Sequence, residues 1–222
     1  MQKKLVIFGN ADIAELALFY FSRDTDFKPV AFTVDRDYLT GEKFQGLPQV
    51  AFEEVVRYFP AEEHSMFIAL SYAQLNRLRR AKCNEAMSMG YRLATYVSSK
   101  ASVWSANEQI GYNAFILENV VVQPFAKIGN NVTIWSGTHI GHHSVIQDDC
   151  FITSQVVVSG GVDVGRGSFI GVNATLRDHI KIGKRCVIGA GTWISRDVED
   201  EGVYIAKASE RSAVPSSKLK KL

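Results

Sequence analysis

No run of the 222-residue chain approaches the ~18 consecutive apolar residues that suggest a membrane span. The apolar stretch of its opening, MQKKLVIFGNAD, stops at Asn10 and Asp12, too short for a secretory signal, so a cytoplasmic protein with no membrane partner is expected. Charge of one sign is missing too. The 25 Lys and Arg against 23 Asp and Glu leave a formal +2, and the basic residues are scattered, which argues against a nucleic-acid partner. A small phosphate-bearing ligand is compatible with that balance. Cysteine is scarce: Cys83, Cys150 and Cys186 form no metal-spacing motif and read as buried, reduced thiols. What is present, 46% apolar and 22% charged residues, suffices for one large core or two modest ones.

The second half keeps a six-residue beat. Stepping by six from Ile110 to Ile194, all fifteen positions are Ile, Val or Leu, and the fifth place of each unit is small or β-branched, as in Ala114, Val132, Ser144, Cys150 and Val198. A helix would need a 3.6-residue stripe, which is absent. A hexapeptide period instead predicts a parallel β-helix, one short strand per unit and three units per triangular coil, with the first places stacked inside. Coils lie about 4.8 Å apart. Cys150 and Cys186 therefore share a face two coils apart, near ~10 Å, beyond disulfide reach.

Twelve of the fifteen fourth places hold Asn, Gly, Asp or His, the types that best tolerate positive φ, so each is expected at a left-handed corner. His143 and His179 fall there and already have a backbone task. In the segment IGHHSV, His142 occupies the third place, where no such demand is visible, and is the stronger candidate for chemistry.

The first half alternates strand and helix. KKLVIF reads as a buried strand, followed by a turn at Gly9 and Asn10 and a helix capped by Asp12; PVAFTVD reads as a strand ending at Asp35. FEEVVRYF is expected to be helical, MFIALS a strand, and AQLNRLRRAKCNEAMSMG a helix up to Gly90. Such alternation implies a small parallel sheet with helices on its faces, and ligands of such sheets sit at the carboxyl ends of the strands. That rule points at Gly9, Asn10, Asp35, Arg36, Ser71 and Tyr72. GNADIA keeps only the first glycine of a dinucleotide fingerprint. Arg77, Arg79, Arg80 and Lys82 read as a solvated helical face, with phosphate contact as the alternative. Residues 91 to 104 are expected to lead from sheet to prism, residues after Asp200 to cap the last coil, and the KLKKL end to fray. The expected division is 1–97, a Rossmann-like ligand-binding domain, and 98–222, a β-helix domain with its cap.

A short sheet domain with FGNADIAE and FTVD, followed by a hexapeptide prism with an Ile-x-His segment midway, resembles the bacterial sugar-nucleotide acetyltransferases grouped with the sialic acid O-acetyltransferases. The resemblance spans about residues 4 to 210. It implies an α/β N-terminal domain with a small parallel sheet, then a left-handed parallel β-helix, a homotrimer, and acetyl-CoA lying along the coils in clefts between neighbouring prisms. It implies His142 as general base and the backbone amides of Gly160 and Ala190 beneath the pantetheine arm. The chain departs from the family where a second histidine often follows the base, here Phe151, and where an acidic residue commonly flanks it, here Gly141 and His143.

The function expected from this resemblance is acetyl transfer from acetyl-CoA to the amine of a UDP- or dTDP-linked amino-deoxy sugar, for lipopolysaccharide O-antigen or related surface glycans. Asp35 is then the candidate for the base edge or ribose, and the amides around Gly9 and Asn10 for phosphate oxygens at a helix N-terminus. Asp148 or Asp149 either orients the imidazole or merely forms a turn. O-acetylation of a sugar is the neighbouring reading. In other classes stand a zinc hydratase of carbonic anhydrase type, using His139, His142 and His143, and a non-catalytic sugar-nucleotide sensor. No metal is expected in the favoured reading.

Overall fold

The computed structural model of the protein describes residues 3–104 and 109–218. Beyond Lys218 the KLKKL end lies outside the described residues.

The N-terminal unit is built from β1 (Lys3–Phe8), α1 (Asp12–Asp24), β2 (Phe27–Val34), β3 (Lys43–Phe44), β4 (Leu47–Ala51), α2 (Val55–Tyr58), β5 (His64–Ile68), α3 (Arg77–Ser88) and β6 (Arg92–Leu93). The sheet order is β3-β4-β2-β1-β5-β6, parallel apart from the β3–β4 hairpin. Strand β1 is apolar without alternation because helices cover both faces of the sheet. Leu5 and Ile7 pack with Ala14, Ala17 and Phe21 of α1, while Val6 and Phe8 pack with Val55 of α2 and with Cys83 and Ala86 of α3.

Three local expectations fail here, each for a backbone reason. The cap position of α1 is Ala11, which makes no side-chain capping bond; Asp12 is already in the first turn. FEEVVRYF opens as a 3-10 turn, Phe52–Glu54, before the short α2. Helix α3 begins only at Arg77, because Gln74, Leu75 and Asn76 take φ of 52°, 51° and 63°. That left-handed run turns the chain so that the Asn76 side chain donates to the Asp149 carbonyl at 2.6 Å on the prism.

The prism has three faces of parallel two-residue strands. The first face runs from Tyr96–Val97 through Phe115–Ile116, Thr133–Ile134, Phe151–Ile152, Phe169–Ile170 and Val187–Ile188 to Val203–Tyr204. The second runs from Ser102–Val103 through Val121–Val122, His139–Ile140, Val157–Val158 and Thr175–Leu176 to Trp193–Ile194, and the third from Lys127–Ile128 to Lys181–Ile182. First- and fifth-place side chains fill the interior. Thr138, Ser144 and Ser168 are buried among them without loss, because each hydroxyl donates to a carbonyl and accepts the fifth-place N–H of the next coil. Of the fifteen fourth places, all but Asp197 have positive φ, including Phe125 and Arg185, whose side chains do not favour it.

Both ends of the column break the beat. Val97 pairs with Ile116 and Ser102 with Val121, a spacing of 19 rather than 18, so a coil precedes Ile110 after one inserted residue. At the other end Ile182 pairs with Val198 and Val187 with Val203, a spacing of 16. Val198 thus takes an inward first place two residues early, correcting its expected fifth place. Asp197 consequently sits beside a strand, not at a corner, and accepts the Lys181 N–H at 2.9 Å.

The N-terminal unit docks on the first face and the two corners bordering it. Tyr72 packs on Phe151 and Phe169, with ring centroids 5.0 and 4.9 Å apart. At one corner Asn113 bonds both backbone groups of Ile68 and continues an amide ladder through Asn131 to Asp149. Arg79, expected on a solvated face, is instead 2% exposed and donates to the Asn131 carbonyl and the Thr133 hydroxyl. Burial pulls its guanidinium down to about 10. At the other corner the Tyr20 hydroxyl donates to Glu118 at 2.8 Å.

Candidate active site

Strand β1 is flanked by β2 on one side and β5 on the other, so the chain leaves it in opposite directions and a crevice opens at its carboxyl end. A cleft of about 590 Å³ occupies that place, within the range of small-molecule sites. Gly9, Asn10, Asp35 and Ser71 line it together, as expected from the strand ends. Gly9 is required there: its φ is +128°, and a Cβ would stand 2.8 Å from the Ala69 carbonyl oxygen. Asn10 holds the far wall by donating to the Tyr38 carbonyl at 2.8 Å. The uncapped start of α1, at Ala11, Asp12 and Ile13, faces the same space and offers helix N–H groups.

Arg36 and Tyr72 do not line the cleft. The Arg36 guanidinium is paired with Glu54 at 3.2 Å, and Tyr72 is committed to the prism aromatics. Among the lining residues not singled out for this cleft are Tyr38 and Lys82. Lys82 Nζ lies 2.7 Å from both Asp35 Oδ1 and Glu85 Oε2. Burial works against its charge, yet these two carboxylates hold its ammonium above the usual lysine range. Its place in a basic helical run concealed it, since sequence spacing alone does not tell which side of α3 meets the sheet.

His142 lies on the corner between the second and third prism faces, next to His143 at its left-handed turn. Its ring is exposed and lies over Gly160, one coil further on: a Cβ there would fall 2.6 Å from Cε1 and 2.7 Å from Nε2. The backbone N–H of His142 donates to Gln123 Oε1 at 2.9 Å, and Arg166 repeats that pattern with Gln147. At the equivalent place below Gly160 stands Gly141, with no side chain to offer, and a Cβ there would crowd the Gly160 nitrogen at 2.6 Å. Among the described residues the Gly160 N–H consequently makes no hydrogen bond. Gly171 leaves the N–H of Ala190 uncovered in the same way. Uncovered amides are what an acyl-carrying ligand lying along the coils would use.

Asp148 and Asp149 sit on a different corner, where Arg166 pairs with Asp148 at 2.8 Å and Asn131 and Arg80 engage Asp149. They do not touch His142. The side chain bonded to the His142 ring is His143, Nδ1 to Nδ1 at 3.1 Å. His139 is on a strand of the second face, and among the described residues no group of three or more His, Cys, Asp or Glu is arranged to hold a metal ion. None of the helices described is long and apolar enough to cross a membrane.

Residues 109–142, 125–160 and 161–196 match the family model of the bacterial transferase hexapeptide (six repeats), so this part of the chain is a hexapeptide-repeat β-helix. Solved structures extend the likeness to the N-terminal unit. A mutant of perosamine N-acetyltransferase from Caulobacter crescentus, in complex with CoA and GDP-perosamine, superposes with a TM-score of 0.79 at 22% identity, covering 91% of this chain and 93% of that one. The acetyltransferase domain of PglB from Neisseria gonorrhoeae FA1090, in complex with acetyl coenzyme A, gives 0.81 at 20% identity over 93% and 97%. WeeI from Acinetobacter baumannii AYE gives 0.76 at 18% identity over 92% and 97%. No curated protein sequence matches. These likenesses establish the fold, a small α/β unit followed by a left-handed parallel β-helix.

Proposed function

We propose that the protein is an acetyl-CoA-dependent N-acetyltransferase acting on the amino group of a nucleotide-linked amino sugar, and that it works as a homotrimer. The observation that carries this reading is the pairing, on one prism corner, of an exposed imidazole with an uncommitted backbone donor: His142 over Gly160. An amine attacking a thioester must lose a proton, and the carbonyl oxygen gains charge as it does so. His142 takes the proton, and the Gly160 N–H meets the oxygen. The Ala190 N–H lies on another corner, between the first and second faces, and from there supports the acyl carrier's arm. The cleft at the end of β1 receives the nucleotide, with phosphates at the start of α1 and Asp35 toward the ribose or base. Similar folds bound to CoA with GDP-perosamine, and to acetyl coenzyme A, support the two ligand classes.

The placement of cleft and base supports an assembly of copies. The unit that holds the cleft docks on the first face and its two corners, whereas His142 is on the corner opposite that face. That separation favours a site in which the cleft of one copy meets the base of a neighbouring copy. The product is an activated acetamido sugar for lipopolysaccharide O-antigen or a related surface glycan, made in the cytoplasm.

Thiol release from acetyl-CoA over UDP-, dTDP- and GDP-linked 3-amino and 4-amino sugars tests the reading. Turnover with at least one acceptor is expected, falling at least ~10-fold in His142→Asn. Silence across the panel, or an undiminished rate in the variant, would overturn it.

A further inference from the structure

We infer that His143 is the positioning residue for His142: it accepts the His142 Nδ1–H and so leaves the His142 Nε2 lone pair facing the acceptor sugar. The inference rests on the reading of His142 as the base. The two Nδ1 atoms are 3.1 Å apart, with the rings edge to face at 84°. Two like nitrogens at that distance need one N–H and one lone pair, so the contact forces the rings into complementary tautomers. His143 is the better held of the two. Its backbone is fixed at φ 60°, and its ring packs against Phe125 with centroids 4.8 Å apart. Among the described residues the His142 ring is braced by Gly160 beneath it and by this bond, while Gln123 holds its backbone N–H. No carboxylate among the described residues bonds either imidazole, so a neutral ring does the orienting.

The proton account closes. As the amine nitrogen bonds to the acyl carbon, its N–H breaks and the proton passes to His142 Nε2. The imidazolium so formed keeps its Nδ1–H on the His143 lone pair. The proton then leaves from Nε2 to solvent or to the departing CoA thiolate, and the pair returns to its starting tautomers.

Nitrogen-15 NMR of histidine-labelled protein at about pH 8, above the ordinary histidine range, reads the tautomers directly. The chain has five histidines, so single substitutions assign every signal. His142 should carry its proton on Nδ1 in the native protein and shift toward the Nε2–H form in His143→Gly. Glycine suits the left-handed corner, as at Gly137 and Gly161, so the fold survives that change. In the thiol-release assay His143→Gly should lose ~10- to 100-fold in kcat with KM little changed, part of what general base catalysis contributes. His143→Asn, which restores an acceptor and tolerates the corner, should recover most of the loss. A His142 proton on Nε2 in the native protein, or native kcat in His143→Gly where His142→Asn is impaired, would overturn the inference. The NMR signature needs no substrate, so the pair can stand even if His142→Asn retains full activity and the base reading falls.

Discussion

Single residues decide whether the His142 corner is built at all. Gly160 is a glycine for a side-chain reason and not for its own dihedral: the imidazole of the preceding coil lies where its Cβ would be. In Gly160→Ala the ring must rotate off the column, and kcat should fall ~10-fold or more as the base loses its position. The melting temperature should barely move, because the site is at the surface and no core contact is lost. Equal kcat in Gly160→Ala would show that the ring's rest position is not its working one. The sequence sets His142 apart because it is the one histidine of its corner without a backbone task. The contact between the His142 and His143 rings was not legible, since a corner residue's side-chain direction depends on how consecutive turns of the chain stack. Lys82 was hidden similarly: its partner Asp35 is 47 positions away.

At the scale of elements, the sixfold beat wrote most of the prism directly, because each strand is two residues long and its inward side chain is fixed by local backbone. It failed where the beat slips, by one residue before Ile110 and by two before Val198, since pairing across coils rather than spacing along the chain defines the register there. The late start of α3 was invisible for a related reason: Gln74 to Asn76 answer to the prism corner, not to helix propensity. The seam between α1 and the first prism strand offers a pH test. The Asp24 carboxylate accepts the Ser99 N–H at 2.9 Å and the Tyr96 hydroxyl at 2.7 Å. Its bonds to Ser99 chiefly, against some desolvation, hold it below the usual aspartate range. With its folded pKa below its unfolded one, its contribution is fully present above about pH 4 and is lost as pH falls through the folded value. Asp24→Asn should therefore cost about 1 kcal/mol near neutrality, and the gap from the native protein should narrow as pH falls below the ordinary aspartate range and close once the folded carboxyl is protonated. Urea unfolding at fixed chain concentration checks it; a gap that persists in acid would mean that geometry, not charge, holds the seam.

The whole molecule raises the question of what faces the second prism surface, where Val157 and Trp193 are exposed at 39% and 69% and Trp104 at 71%. On the proposed trimer these side chains and the His142 corner meet a neighbouring copy, and every active site joins the cleft of one chain to the base of the next. That arrangement predicts complementation between two inactive variants. His142→Asn keeps its cleft and loses its base; Ser71→Trp, at an exposed position on the cleft lining, blocks nucleotide entry and keeps the base. In a cyclic trimer containing both kinds of chain, one site of the three pairs an intact cleft with an intact base, so mixed trimers isolated through two affinity tags should regain about a third of native turnover. Each variant alone should remain inactive. If cleft and base of the same chain formed the site, no mixed assembly would hold an intact one, and mixed trimers as silent as the parents would break the argument that places His142 across a subunit boundary from its own cleft.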